Sequence, residues 1–252
     1  MTKGEVRALA GPITAVAALI CVGYALATIP PGYKGKPFRD QSHKSGPQVI
    51  PGTVQLALYD LGGEGVGYHT VAGNLQHDPT VNEGAKLNHK SFMHKQPDGT
   101  TVQMNHCRPG VPEYICYFRE NEAVSISYVK DFADLSHPNM FDPPANQLYV
   151  GWEQVGEWTN YTVRVKKAGT YKVIALYASS RAGDAKANFQ VDIDNQPTEC
   201  CKLPVPTGRE HVWNKGEVGK ITFGKTGLQL LTVHYNNGNN LAYLEFNLQQ
   251  NK

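Results

Sequence analysis

Two tryptophans six residues apart, Trp152 and Trp158, sit in the stretch YVGWEQVGEWTNYTVRV that runs from Tyr149 to Val165. Tyr161, Val163 and Val165 alternate with Thr162 and Arg164, the two-residue period of a half-buried strand. Trp158 and Tyr161 lie close enough to that strand to be expected in the core. Trp152 falls earlier, in a glycine-punctuated turn, where a large flat side chain has less reason to be enclosed. It is expected to display an aromatic surface, which can serve as a platform for the apolar face of a ligand. Glu153 and Glu157 form a carboxylate pair on the same turn, and glycoside hydrolysis uses two carboxylates about 5–10 Å apart. Glu157, beside Trp158, reads as structural. With no nucleophile–base constellation in the chain, binding is expected rather than catalysis.

Histidine and cysteine offer other chemistry. Five of the nine histidines lie between His69 and His106, but without HExxH or HxH spacing they read as solvated residues of a long surface loop. Cys107, Cys116, Cys200 and Cys201 remain once the amino-terminal segment is set aside. Four cysteines allow three pairings. Bridging the neighbours Cys200 and Cys201 is strained, and Cys107 with Cys116 is preferred, with the pairing left open. No finger-like spacing supports zinc.

The elements that must carry these groups come from a chain of 252 residues, 40% hydrophobic and 10% aromatic, enough for a substantial core. A net charge of +2, spread without runs, gives no electrostatic case for nucleic acid or an anionic membrane. Lys3 and Arg7 precede an apolar run from Ala8 to Ala27 that ends in Ala25-Leu26-Ala27. This is the pattern of an export signal cleaved after Ala27, with an uncleaved anchor as the alternative. The protein is therefore expected to be secreted or extracytoplasmic, with no other membrane contact.

Residues 28–47 are rich in Pro, Gly, Lys and Ser and read as a linker or arm. Val49 to Tyr59 is strand-like, broken at Pro51-Gly52, and Tyr114 to Val129 resumes strand character. Residues 74–113 are the least regular. Beyond Tyr149, strand-like runs of five to eight residues follow one another: TYKVIALYAS, KANFQVDID, ITF, LQLLTVHY and LAYLEFNL. That spacing, with no well-capped helix, indicates an all-β sandwich over residues 48–252.

GGEGVGYH at Gly62, FRENEAVSISY at Phe118, the Tyr149 motif continued through KKAGTYKV, and GNNLAYLEF at Gly238 resemble the family 6 carbohydrate-binding modules. These are jelly-roll, galactose-binding-like β-sandwiches associated with polysaccharide-active proteins. Against that pattern, residues 74–113 look like an insertion. The resemblance implies a polysaccharide or oligosaccharide ligand, with polysaccharide-degrading enzymes as possible partners. It implies a site in the loops at one end of the sandwich, where two rings hold a sugar and an asparagine bonds its hydroxyls. Trp152 matches the first ring and Asn240 the asparagine. In TGREHVW, Glu210 stands where the second ring should be, and His211 is the nearest flat side chain. The expected contact set is Trp152, Asn240, Glu210, His211 and Glu153. Many members also hold a structural calcium, but here Gln55, Ala57 and Ala242 replace the expected acids, so no calcium and no cofactor is expected. The departure at Glu210 keeps a second reading open: an exported sandwich whose sugar site has degenerated and which serves protein contact or envelope structure.

Overall fold

The computed structural model describes residues 28–43, 46–71, 92–95, 99–104, 112–116, 118–129, 138–180, 188–236 and 239–250. The export segment 1–27, most of 74–113 and Cys107 lie outside the described residues. The fold is an all-β sandwich of two six-stranded sheets and a separate two-stranded hairpin. Its strands in chain order are β1 (Gln48–Ile50), β2 (Gly52–Gln55), β3 (Tyr68–His69), β4 (Phe92–Lys95), β5 (Thr101–Met104), β6 (Ile126–Tyr128), β7 (Leu148–Val150), β8 (Trp158–Val165), β9 (Gly169–Ala178), β10 (Gln190–Ile193), β11 (Gln196–Pro197), β12 (Asn214–Phe223), β13 (Gly227–His234) and β14 (Asn240–Leu248). One sheet runs β1-β8-β13-β10-β11, with β3 also on β8; the other runs β12-β9-β14-β7-β6, with β2 also on β14.

Alternation fills the space between the sheets. Tyr161, Val163 and Val165 of β8 and Leu231 and Val233 of β13 face Val173, Ala175 and Tyr177 of β9 and Leu244 and Phe246 of β14 in one core. The break at Pro51-Gly52 hands the chain from one sheet to the other: β1 pairs with β8 and β2 with β14. Gly52 sits at φ +142°, and a Cβ there would meet the Val49 carbonyl oxygen at 2.8 Å, so glycine is required at the crossing.

Three stretches differ from their sequence expectations. Residues 28–43 are bound to the sandwich rather than free: Lys36 bridges to Leu61, the Tyr33 hydroxyl donates to Asp60 at 2.8 Å, and Phe38 packs on Phe118. Tyr33 and Phe38 carry the aromatic surface that holds the arm down. Tyr114 to Val129 is not one strand. It holds a single helical turn, α1 (Glu113–Cys116), and strand only at β6. Between them Arg119 adopts φ +53°, and its guanidinium lies 3.3 Å over the Tyr59 ring and 4.7 Å over Phe38 while pairing with Glu122. That anchored turn breaks the strand. Within 74–113, finally, β4 and β5 form an antiparallel hairpin, Phe92 opposite Met104.

Candidate functional site

Tyr149, fully buried on β7, is the hub of one end of the sandwich. The Trp152 indole stacks on it at 5.9 Å and 20°, Trp213 meets it edge-on at 5.1 Å, and His211 approaches its edge at 6.5 Å. Trp213 is core, as its Nε1 donation to the Val129 carbonyl requires. Trp152 is half-buried, with φ +59°, a left-handed conformation that costs a residue with a Cβ about 1–2 kcal/mol. The chain is held in it from both sides. The Gly151 N–H donates to Ser125 at 3.0 Å, and the Gln154 N–H donates to Glu157 at 2.9 Å.

Asn240 joins this turn to the loop before β12. Its Nδ2 donates to the Glu210 carbonyl at 2.6 Å, and its Oδ1 lies 2.3 Å from where a Cβ on Gly151 would fall. Trp152, the adjacent Glu210 and His211, and Asn240, three segments far apart in sequence, therefore meet at one end. Their exposures differ. Asn240 is 5% exposed, with its amide engaged inside the protein, whereas Glu210 is exposed and its carboxylate accepts from the Ser180 hydroxyl at 2.7 Å. The loop bearing Glu210 is tied down by the Thr207 hydroxyl, which donates to the Ser179 and Arg209 carbonyls.

Glu153 is not at the ligand-facing surface. It is 4% exposed and its side chain is hydrogen-bonded to that of Glu157, so the structure removes it from the expected contact set. Burial is the main cause that pushes its carboxyl well above the usual carboxylate range, followed by the bond to Glu157 and the charge there. Glu157, also buried, accepts from the N–H groups of Val71 at 3.0 Å and Gln154.

Trp158, expected in the core, is half-buried on the opposite face of β8 from Tyr161. It pairs across the sheet with His69 of β3 and His234 of β13, and the His69 ring lies 5.9 Å away. Both histidines hold carboxylates: His69 bonds Glu64, and His234 approaches Asp192 at 3.1 Å. The signal was present in the sequence. If Tyr161 points inward, a residue three positions earlier on the same strand points outward. Asn160, which heads a glycosylation sequon, is buried, with its amide between the Val66 carbonyl and the Thr232 hydroxyl.

At the positions of the family's calcium, the Gln55 carboxamide oxygen accepts from Gln147 at 2.7 Å, and Ala57 and Ala242 are buried methyls. These residues do not fit a hard cation, which needs several oxygen ligands. Cys200 and Cys201, neighbours whose bridge reads as strained from the sequence, are bonded to each other, and the preferred pairing of Cys107 lies outside the described residues. Both are buried, with Cys200 packed against Gly219, which has no side chain to obstruct it.

The family model described as carbohydrate binding module (family 6) matches residues 131–250. No curated protein matches the chain. Among solved structures, a family 6 module from Clostridium stercorarium in complex with cellobiose is 9% identical, with 81% of this chain and 99% of that one covered and a TM-score of 0.38. A module from the Cellvibrio mixtus lichenase 5A in complex with cellotriose is 17% identical over 41% of this chain and 79% of that one, TM-score 0.34. A family 35 module from Clostridium thermocellum is 19% identical over 44% and 84%, TM-score 0.35. The Trp152 turn, the Glu210 loop and Asn240 all lie within residues 131–250, the part of the chain that the family 6 carbohydrate-binding module model matches.

Proposed function

We propose that the protein is an exported, non-catalytic module that docks on a polysaccharide through the end of the sandwich where Trp152 stands. The single observation that carries this is the convergence of Trp152, Asn240, Glu210 and His211 around Tyr149. The indole supplies the stacking surface and the exposed Glu210 carboxylate accepts hydrogen bonds from sugar hydroxyls. His211 borders the same surface. Asn240, its amide turned to the Glu210 carbonyl, acts by setting the distance between the two loops. Covering about 50–80 Å² of apolar surface on one indole face contributes roughly 1–2 kcal/mol. With one ring rather than two, affinity is modest, and polysaccharide-degrading enzymes are the natural companions of such a module.

A second reading has one observation in its favour. Glu210, where the second ring is expected, is held by Ser180 rather than left open toward a ligand. On that reading the end of the sandwich contacts protein or envelope material instead. Affinity electrophoresis of the full chain in gels containing xylan, β-glucan, agar or mannan separates the two. At least one polymer should retard the wild type, and Trp152→Ala should remove most of that retardation while keeping its thermal midpoint. Free migration of the wild type in every gel, or identical migration of the variant, leaves the second reading standing. Release of reducing sugar from any polymer would establish catalysis instead.

A further inference from the structure

Glu153 is a buried acid with no place in ligand contact, and it follows Trp152 directly. It is 4% exposed, and its Oε1 has no hydrogen-bond partner. Its side chain is hydrogen-bonded to Glu157, whose two oxygens accept from the Val71 and Gln154 N–H groups and so close the turn on itself. Two carboxyl groups cannot hydrogen-bond to each other unless a proton lies between them. Glu157 already receives two backbone N–H donors, whereas Glu153 keeps an oxygen with no partner. The proton therefore belongs on Glu153, which donates it toward Glu157.

We propose that Glu153 is a positioning residue: the proton it holds against Glu157 keeps the Trp152 turn closed, and losing that proton on the alkaline side opens the turn and weakens the surface at this end. The groups bearing on Glu153 are Glu157 on its own turn, the Ser125 backbone before β6, Tyr161 on β8 and Tyr235 just after β13. The two phenols are themselves buried and raised, chiefly by burial, and their hydroxyls share Thr159 Oγ1. An ionised Glu153 would thus face a second carboxylate and two neutral phenols in a site sealed from water, an arrangement that drives the two acids apart.

The direction with pH follows. Below the pKa of an unfolded glutamate, both states hold the proton and pH has no effect. Above it, the unfolded chain releases the proton while the folded chain keeps it, so stability falls as pH rises until the folded group ionises as well. Within that window the thermal midpoint of a chain this size should fall by about 3 °C per pH unit from this group alone.

The effect on ligand rests on Trp152 being a contact; the effect on stability does not. Thermal midpoints of the full wild-type chain and of Glu153→Gln should be compared between about pH 5 and about pH 8, where a normal glutamate is ionised. The amide keeps the shape and a donor but cannot ionise. We expect the difference between the two curves to grow with pH in favour of the variant, and parallel curves would overturn the proposal. Should the variant not fold, the wild type labelled with ¹³C at the glutamate side-chain carboxyl carbon decides: one glutamate still protonated near neutral pH supports it, and full ionisation of all of them sinks it. Gel retardation at both pH values completes the test. Wild-type retardation that weakens with pH while that of Glu153→Gln does not supports the coupling, and equal weakening in both overturns it. Diverging midpoints with no retardation at any pH would sink the reading of Trp152 and leave the role of Glu153 in place.

Discussion

Trp152 and Trp158 share one glycine-punctuated motif, yet the first stands on a turn held at φ +59° and the second on a strand whose alternation turns it outward without strain. Everything that places Trp152 comes from distant segments: Tyr149 under its ring, Ser125 on the preceding amide, and Asn240 against Gly151. Trp158 is placed by register, opposite His69 and His234 on neighbouring strands. A side chain built on loops can be moved by changes in those loops, whereas one built on a sheet moves only with the sheet. The two rings can therefore be perturbed independently.

The largest separation should come from Gly151→Ala. The added methyl would sit 2.3 Å from Asn240 Oδ1 and 2.8 Å from Tyr149 Cε2, so the turn, the carboxamide or the hub ring must shift. Overpacking of this kind costs about 1–3 kcal/mol. Affinity at the Trp152 end should fall about thirtyfold, the equivalent of roughly 2 kcal/mol, while the pairing of Trp158 with its neighbours is untouched. Calorimetric titration with the polymer that retards the wild type, alongside a thermal melt, measures both. Unchanged affinity in a destabilised variant would mean that the ligand does not use this end.

Next in size is the contrast between Trp152→Ala and Trp158→Ala. Loss of one stacking face removes roughly 1–2 kcal/mol, about tenfold in affinity. That loss should appear for Trp152 and be much smaller for Trp158. The reverse order would move the ligand to the outer face of β8, where the two histidine–carboxylate pairs flank the indole.

How far this contrast could be read beforehand depends on which physical signal each part carries. Strands from Tyr149 onward were legible because alternation over five or more residues leaves a strong trace, and the sheet change at Pro51-Gly52 shows as a break in one. The convergence of Trp152, Asn240 and Glu210 was legible only through the family resemblance, since nothing in local sequence brings positions 152, 210 and 240 together. The outward parity of Trp158 was readable from Tyr161 and was masked by the general tendency of tryptophan to be buried. Glu153 was not readable, because a glutamate in a polar turn looks solvated, yet it is 4% exposed in the folded chain. The arm was hidden by its own composition. Pro, Gly and Lys dominate residues 28–47, and the contacts that attach it, the Lys36 bridge to Leu61 and the rings of Tyr33 and Phe38, leave no periodic trace.

The smallest expected effect is a gain. Glu210→Trp would put an aromatic side chain at the position where the resemblance implies a second ring, across the loop junction from Trp152. Glu210 is exposed, so the larger side chain displaces no core, and the contact it gives up is the single hydrogen bond from Ser180. Its carbonyl bond from Asn240 Nδ2 belongs to the backbone and survives the substitution. A new stacking face is worth roughly 1–2 kcal/mol when well seated. Part of that is offset by ordering the added side chain, at about 0.5–1.5 kcal/mol. The net should be an affinity gain of about threefold to fivefold, read by the same titration, and it should vanish in the double variant with Trp152→Ala if the two rings hold one ligand between them. A gain that persists without Trp152 would mean the new indole binds by itself, and the end of the sandwich would then lack the paired-ring geometry on which the contrast with Trp158 depends.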